Sequence, residues 1–511
     1  MRAFLLALLL LAAVPSFSEA QTSDGAALPL GPESLPESRV TRTVAPGVTY
    51  TRIVRGVASA EDVWTIDAAV TADRPAARVI AQKLQVAGAR ARIRRLKRAP
   101  DDSSPGPLGF LVRTGRFETQ LQTDLERARL AQAGLEGLRT VFTAEDGTST
   151  TGPWVVNVIT ADPGVVTTAL ATDVVPGREL LSALAARTGA VAAINGGYFV
   201  IGDTNGTDGD LAGVSVLGGA LVSEAVTGRT SLLLGGEGAG ARVEALSTRL
   251  EVASSDTSRR LLDGLNRAPG LIRSCGGSGG DEPTEAPKHD FTCTDDSELI
   301  RYTAVFGSAT PSGAGAEAVL DAAGRVVDLR ELRGGPIPGG GSVLSGTGEA
   351  AEWLREHAVP AATVTLDTRI QGEEGPIALG ARTTIVNGGP RLLRDGRPDI
   401  TAAAEGFDWP EDPGFFYRFG LRRNPRTLAG VKSDGRLLLV TVEGRRPGYS
   451  AGASFEESAA VMAALGADAA VNLDGGGSTG LTLGSGLLTW PSDATGERPI
   501  ADALLVGARP F

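Results

Sequence analysis

Three segments of this chain carry Asn or Asp from an apolar run directly into consecutive glycines. In Ala470–Leu481, AVNLDGGGSTGL, a run of apolar residues delivers Asn472 and Asp474 into Gly475, Gly476, Gly477 and the pair Ser478-Thr479. Glycine reaches positive φ without penalty and leaves the backbone N–H groups bare, so such a loop can cradle an anion beside a carboxylate held at the end of a rigid strand. Gly189–Phe199, GAVAAINGGYF, repeats the design with Asn195, Gly196 and Gly197, followed by Tyr198 and Phe199, whose rings could stack on a sugar. Thr384–Gly396 supplies a third version through Asn387 and Gly388. An ordinary Gly-rich hairpin explains any one of them. Three together point to one shared cleft.

Other chemistries fit less well. The only histidines are His289, in a Gly- and Asp-rich stretch, and His357, at the end of an amphipathic run where a helix C-terminus favours a cation. Gly476–Gly480 matches G-x-S-x-G, but a nucleophile elbow needs a helix after Ser478, and the residues that follow read as strand and turn. Cys275 and Cys293 with His289 fall short of the four ligands of a structural zinc site. Calcium is conceivable in oxygen-rich loops of an exported protein, yet Asp203–Val214 places Asp208 and Val214 where an EF-hand requires Gly and Glu. No motif for an organic cofactor stands out, and the metal requirement is left open.

The elements that must position these loops are mostly short strands. From Trp154 onward, β-rich runs separated by Gly and Pro dominate, with helical spacing in 177–188, 348–358 and 454–467. Ser454 and Glu457 form a capping-box pattern at the last of these. The expected class is α+β, a mixed β-rich domain with few helices packed on it. Before it, residues 63–146 read strand, helix, strand, strand, helix, strand, with helical faces expected at Val79, Leu84 and Val86, and at Leu121, Leu125 and Leu130. LVRTGRFET, Leu111–Thr119, resembles SPOR-type modules, small βαββαβ units that bind cell-wall glycan; an ordinary α+β spacer is the plainer reading.

The 511 residues allow about three domains of ordinary size. The first twenty residues combine Arg2, an apolar run and small residues before Gln21, the pattern of a secretory signal; that run is too short to span a bilayer. Residues 21–45, rich in Pro, Ser, Glu and Thr, read as a flexible linker. In an oxidising compartment Cys275 and Cys293 should pair, closing a loop worth about 3 kcal/mol. A net charge of −11 argues against nucleic acid and anionic membranes as partners, so a phosphate ligand would be held by local arginines. The one dense basic run, Arg90–Arg98, reads as a solvated strand edge, or as a contact for anionic wall polymer.

Arg423–Leu481, together with LTWPSD and GERPIADALLV near the end and Gly209–Glu224, resembles the phosphodiester glycosidase family, related to N-acetylglucosamine-1-phosphodiester alpha-N-acetylglucosaminidase, in motif order and spacing. The resemblance extends over roughly 150–511. It departs at Glu443-Gly444-Arg445, where Asp-Gly-Arg is expected. It implies a secreted or envelope-associated hydrolase that cleaves the glycosyl C–O bond of sugar-1-phosphodiesters, with a carbohydrate-phosphate substrate. Asp474 is then the catalytic carboxylate, with Asp210 and Glu443 as candidates for a second acid or a metal ligand. Arg426 and Arg498 would grip phosphate bidentately. Asn195, Asn387 and Asn472 would bond sugar hydroxyls or shape the loops, beside Gly196, Gly197, Gly388, Gly475, Gly476, Gly477 and Ser478. The rivals are a non-catalytic wall-binding protein, with peptidoglycan glycan strands as partner, and a phosphodiesterase that breaks P–O. The expected organisation is a signal at 1–20, a linker at 21–45, a strand plus SPOR-like module at 46–149 and the glycosidase domain at 150–511.

Overall fold

The structure, a computed structural model, describes residues 26–235, 240–276 and 279–507. The expected signal segment lies outside the described residues. The class is α+β, as anticipated: many short strands and few helices. Its centre is an antiparallel eight-stranded sheet in the order 37–45, 48–55, 154–161, 437–442, 426–432, 467–472, 391–394, 397–398. Strand parity explains how this sheet is buried on both sides. Leu438, Val440 and Val442 enter one core with Trp154, Leu428 and Phe455, whereas Leu437 and Leu439 enter another with Ile159, Val471 and Leu504. The helix Phe455–Ala464 covers the first face, and both halves of its expected capping box, Ser454 and Glu457, are made.

The second face is covered by two further sheets. One contains 192–195, sandwiched between 481–483 and 502–506; the other contains 384–387, paired with 229–234. This layering brings the ends of 192–195, 384–387 and 467–472 together. A five-stranded sheet with the helix Gly348–His357 forms an outlying lobe with its own core.

The N-terminal organisation differs from expectation in two ways. Residues 37–45 are a strand, not a linker, paired in register with 48–55, and Leu28 and Leu30 just before it are fully buried. The polar composition that suggested a linker is the half-exposed alternation of a sheet edge. These two strands extend the central sheet, because 48–55 pairs with 154–161, so they belong with the C-terminal domain. The intervening residues 64–142 do form βαββαβ, with strand order 91–96, 109–117, 64–71, 139–142. Leu84 and Leu130 are buried as expected, but Val79, Val86, Leu121 and Leu125 are exposed. The helices instead bury Ala77 and Thr123 beside those leucines, so small residues carry the packed face. Arg90–Arg98 occupies the sheet-edge strand 91–96.

Candidate functional site

The three converging strand ends are wired to one another by their asparagines. Asn195 donates to the Asp474 carbonyl (2.8 Å), while its Oδ1 accepts from the Thr427 hydroxyl (2.7 Å) and the Gly480 N–H (3.1 Å). Asn387 accepts from the Tyr198 N–H (2.8 Å) and donates back to the Tyr198 carbonyl (3.3 Å). Asn472 donates to the Tyr198 hydroxyl (2.7 Å) and to the Gly389 and Leu473 carbonyls. All three are about 1% exposed. They shape the loops; of the two roles expected for them, bonding sugar hydroxyls has no free polar face to work with at Asn195. Tyr198 is likewise held by its hydroxyl, which donates to the Gly389 carbonyl (2.8 Å).

The glycines permit this close approach. A Cβ at Gly197 would collide with the Asn387 amide, one at Gly388 with the Asn472 carbonyl, and one at Gly196 with the Asp502 carboxylate. Asp502 accepts the Gly197 N–H (2.9 Å), and burial raises its pKa to about 7, with Asp474 adding to the rise. At Gly477 a Cβ would strike both Arg498 and Asp493.

Beside this floor lies a cavity of about 570 Å³, lined by Asp474, Gly475, Gly476 and Gly477, by the aromatics Tyr198, His289, Trp409, Phe415 and Phe419, and by six arginines. The volume is that of a small-molecule site. Burial pushes the Asp474 carboxyl up to about 6, opposed by Ser478 and the charge of Arg498, so it is mostly ionised at neutral pH. Asp290, paired with Arg273, is the other carboxylate on the wall. Six arginines against two aspartates make a cationic pocket in an anionic protein.

The arginines are not equally free. Arg426 spends Nε on the Ala453 carbonyl (2.9 Å) and Nη2 on the Phe419 carbonyl, leaving Nη1 without a protein partner among the described residues. A bidentate grip on phosphate by Arg426 is therefore not available, and burial lowers its pKa to about 10. Arg498 turns Nε and Nη2 toward Asp493 (both 2.8 Å). Among the described residues Arg445 makes a single side-chain hydrogen bond, to Asn424 Oδ1 (3.1 Å), and its guanidinium stands over Gly476. It holds a left-handed backbone, φ +56°, costly for a residue with a Cβ and typical of functional positions.

Two expected carboxylates lie elsewhere. Glu443 follows the strand 437–442 on the face opposite Arg426 and accepts from Asn157 (3.0 Å) and the Trp490 N–H (2.8 Å). Asp210 is buried outside the cavity lining, near Glu224, and its carboxyl stays well above the usual range through desolvation. Neither faces the cavity. In the oxygen-rich loop, Asp208 is taken by Arg178 (2.9 Å) and the Gly202 N–H (2.8 Å). Among the described residues no three His, Cys, Asp or Glu are grouped as a metal site. Ser478 is followed by the strand Leu481–Leu483, so no nucleophile elbow forms.

Several residues of the cavity wall were not anticipated. Cys275 and Cys293 are bonded, as expected, and this staple fixes the loop that brings His289 and Asp290 into the cavity. The His289 ring packs on Tyr198 and Phe407 (centroids 4.4 and 4.2 Å), and burial with Arg229 and Arg273 nearby holds it neutral. The segment 407–419 holds six of the chain's 24 aromatic residues, a density visible in the sequence. A π-helical turn, Tyr417–Leu421, presents Arg418 and Phe419, and Asn424 and Arg426 bond its carbonyls.

The fold and site thus define a β-rich scaffold with a cationic, aromatic cleft and one poised carboxylate. A model of the phosphodiester glycosidase family matches residues 314–507. A Burkholderia pseudomallei K96243 protein described provisionally as exported shares 35% identity and a TM-score of 0.87, over 96% of this chain and 99% of its own. Residues 314–507 form a phosphodiester glycosidase domain. A hypothetical protein from Synechocystis shares the fold at TM-score 0.54 and 19% identity, over 96% and 84% of the two chains. The zebrafish N-acetylglucosamine-1-phosphodiester alpha-N-acetylglucosaminidase catalytic domain aligns at 14% identity and TM-score 0.33, over 88% and 89%. No curated protein matches the chain.

Proposed function

We propose that the protein is an exported hydrolase that cleaves the glycosyl C–O bond of sugar-1-phosphodiesters in an envelope polymer or glycoconjugate. The observation that carries this reading is the meeting of Asp474 with six arginines and a group of aromatic rings in one cavity. The leaving phosphate monoester is stable as an anion, so the site needs charge stabilisation more than a strong general acid. Arg445 and Arg498, with Nη1 of Arg426, would neutralise the phosphate. Asp474, ionised above pH 6, would activate water or stabilise the oxocarbenium-like transition state. The Trp409, Phe415 and Phe419 rings offer a face for the sugar. Export is supported by the Burkholderia relative; among the described residues no helix is long and apolar enough to cross a membrane.

The test is release of free sugar from GlcNAc-alpha-1-phosphate diesters by the protein lacking its first twenty residues, with and without chelator. Release by the wild type and loss in Asp474→Asn are expected. Binding without release from any sugar tried would favour the wall-binding rival, and full activity in the variant would remove Asp474 from the mechanism.

A further inference from the structure

The βαββαβ module is docked as part of the cavity wall. Arg113 pairs with Asp67 (2.7 Å) and Asp146 and donates to the Tyr417 hydroxyl (3.1 Å), which itself donates to Asp67 (2.7 Å). These groups are buried, and they lock the face of the module's sheet onto the turn that presents Arg418 and Phe419. The Asp101 carboxylate accepts the N–H groups of Ala403 and Ala404 (both 2.9 Å). From this docked module, Arg139 at the start of the strand Arg139–Phe142 reaches the cavity.

Arg139 has no carboxylate partner among the described residues. The acids whose charges reach it are already engaged: Asp412 by Arg418 (2.9 Å) and Asp67 by Arg113 (2.7 Å). The charges that act on Arg139 come from Arg418, Arg422, Asp412 and Asp67, whereas those on Asp474 come from Arg498 and Asp290. Arg445 and Arg498 stand at the glycine-rich loop, where a Cβ on Gly476 or Gly477 would meet them, whereas Arg139 and Arg418 line the cavity beside the docked module. Burial lowers the Arg139 pKa and the charges of Arg418 and Arg422 add to the fall, so an anion placed among these cations would be favoured.

We propose that Arg139 is a specificity-determining residue that binds a second anionic group carried by the leaving part of the substrate. The preferred substrates are then sugar-1-phosphates whose leaving group bears further phosphate, as in a diphosphate or a phosphodiester repeat. This rests on the reading above for the scissile bond, and an anion titration separates the two.

The experiment uses the full mature chain with Arg139→Gln and Arg139→Lys, both checked for unchanged Tm, and titrates inorganic pyrophosphate and orthophosphate calorimetrically. In Arg139→Gln, pyrophosphate binding should weaken about tenfold while orthophosphate changes less than about twofold, and Arg139→Lys should restore part of the loss. With hydrolysable substrates, KM should rise for a sugar diphosphate ester and stay constant for a sugar-1-phosphate methyl ester, with kcat unchanged for both. Equal pyrophosphate affinity in wild type and variant, or equal loss for both anions, would overturn the assignment. If the wild type releases sugar from neither ester, the glycosidase reading fails, and the anion titration still decides the role of Arg139.

Discussion

The floor and the wall of the cavity are built on opposite plans. In the floor, three Asn side chains and Asp502 are spent on protein bonds that fasten strand ends together, and glycines allow the approach. In the wall, arginines drawn from residues 139, 273, 418, 426, 445 and 498 keep partly free donors among aromatic rings. The difference teaches that the most conspicuous polar residues of this sequence hold the site together, and that less conspicuous ones are left with donors on the cavity wall. Asp474 belongs to both, its backbone anchored by the floor and its carboxylate facing the cavity.

The comparison breaks most sharply at Asp474. Asp474→Asn should reduce sugar release by about 10³-fold, since it removes a positioned base or charge stabiliser. It should also stabilise the fold. A carboxyl whose folded pKa is raised from 3.8 to about 6 binds protons more tightly folded than unfolded, so wild-type stability falls as pH rises through that window. The variant should gain about 1–2 kcal/mol at pH 7–8 and nothing below pH 4, as measured by urea unfolding across pH. In the floor, Asn195→Ala should cost about 2–3 kcal/mol, because buried partners lose their bonds, and should lower Tm together with activity. In the wall, Arg445→Ala should weaken phosphate inhibition about tenfold with Tm nearly constant. Arg445→Gly should lose the same affinity yet gain about 0.5–1 kcal/mol by relieving the left-handed backbone. The smallest effect is on the pH profile: wild-type kcat/KM should fall on the acid side with an apparent pKa of about 6, as read from rates between pH 4 and 8.

What could be read from the sequence follows this same division. An apolar run ending in Asn-Gly-Gly or Asp-Gly-Gly is a local pattern, so the three strand ends and Asp474 were visible, although the direction of each Asn was not. Glu443 and Asp210 stood behind Asp474 as candidates for a second acid or a metal ligand. Their exclusion needed sheet parity: Glu443 lies one residue beyond Val442, the partner of Arg426, and so points to the other face. The wall is assembled from segments hundreds of residues apart, and no spacing marks Arg139. His289 was visible but taken for loop, because only the folded disulfide hairpin brings it under Tyr198. The linker reading gives way over 37–45 for a related reason, since a half-exposed edge strand has nearly the composition of a linker.

The central claim is that this cavity directs water to the anomeric carbon. Hydrolysis of a GlcNAc-alpha-1-phosphate diester in oxygen-18 water, followed by mass spectrometry of both products, addresses it directly. Label in the sugar is the predicted result; label in the phosphate would mean P–O cleavage and would contradict the account.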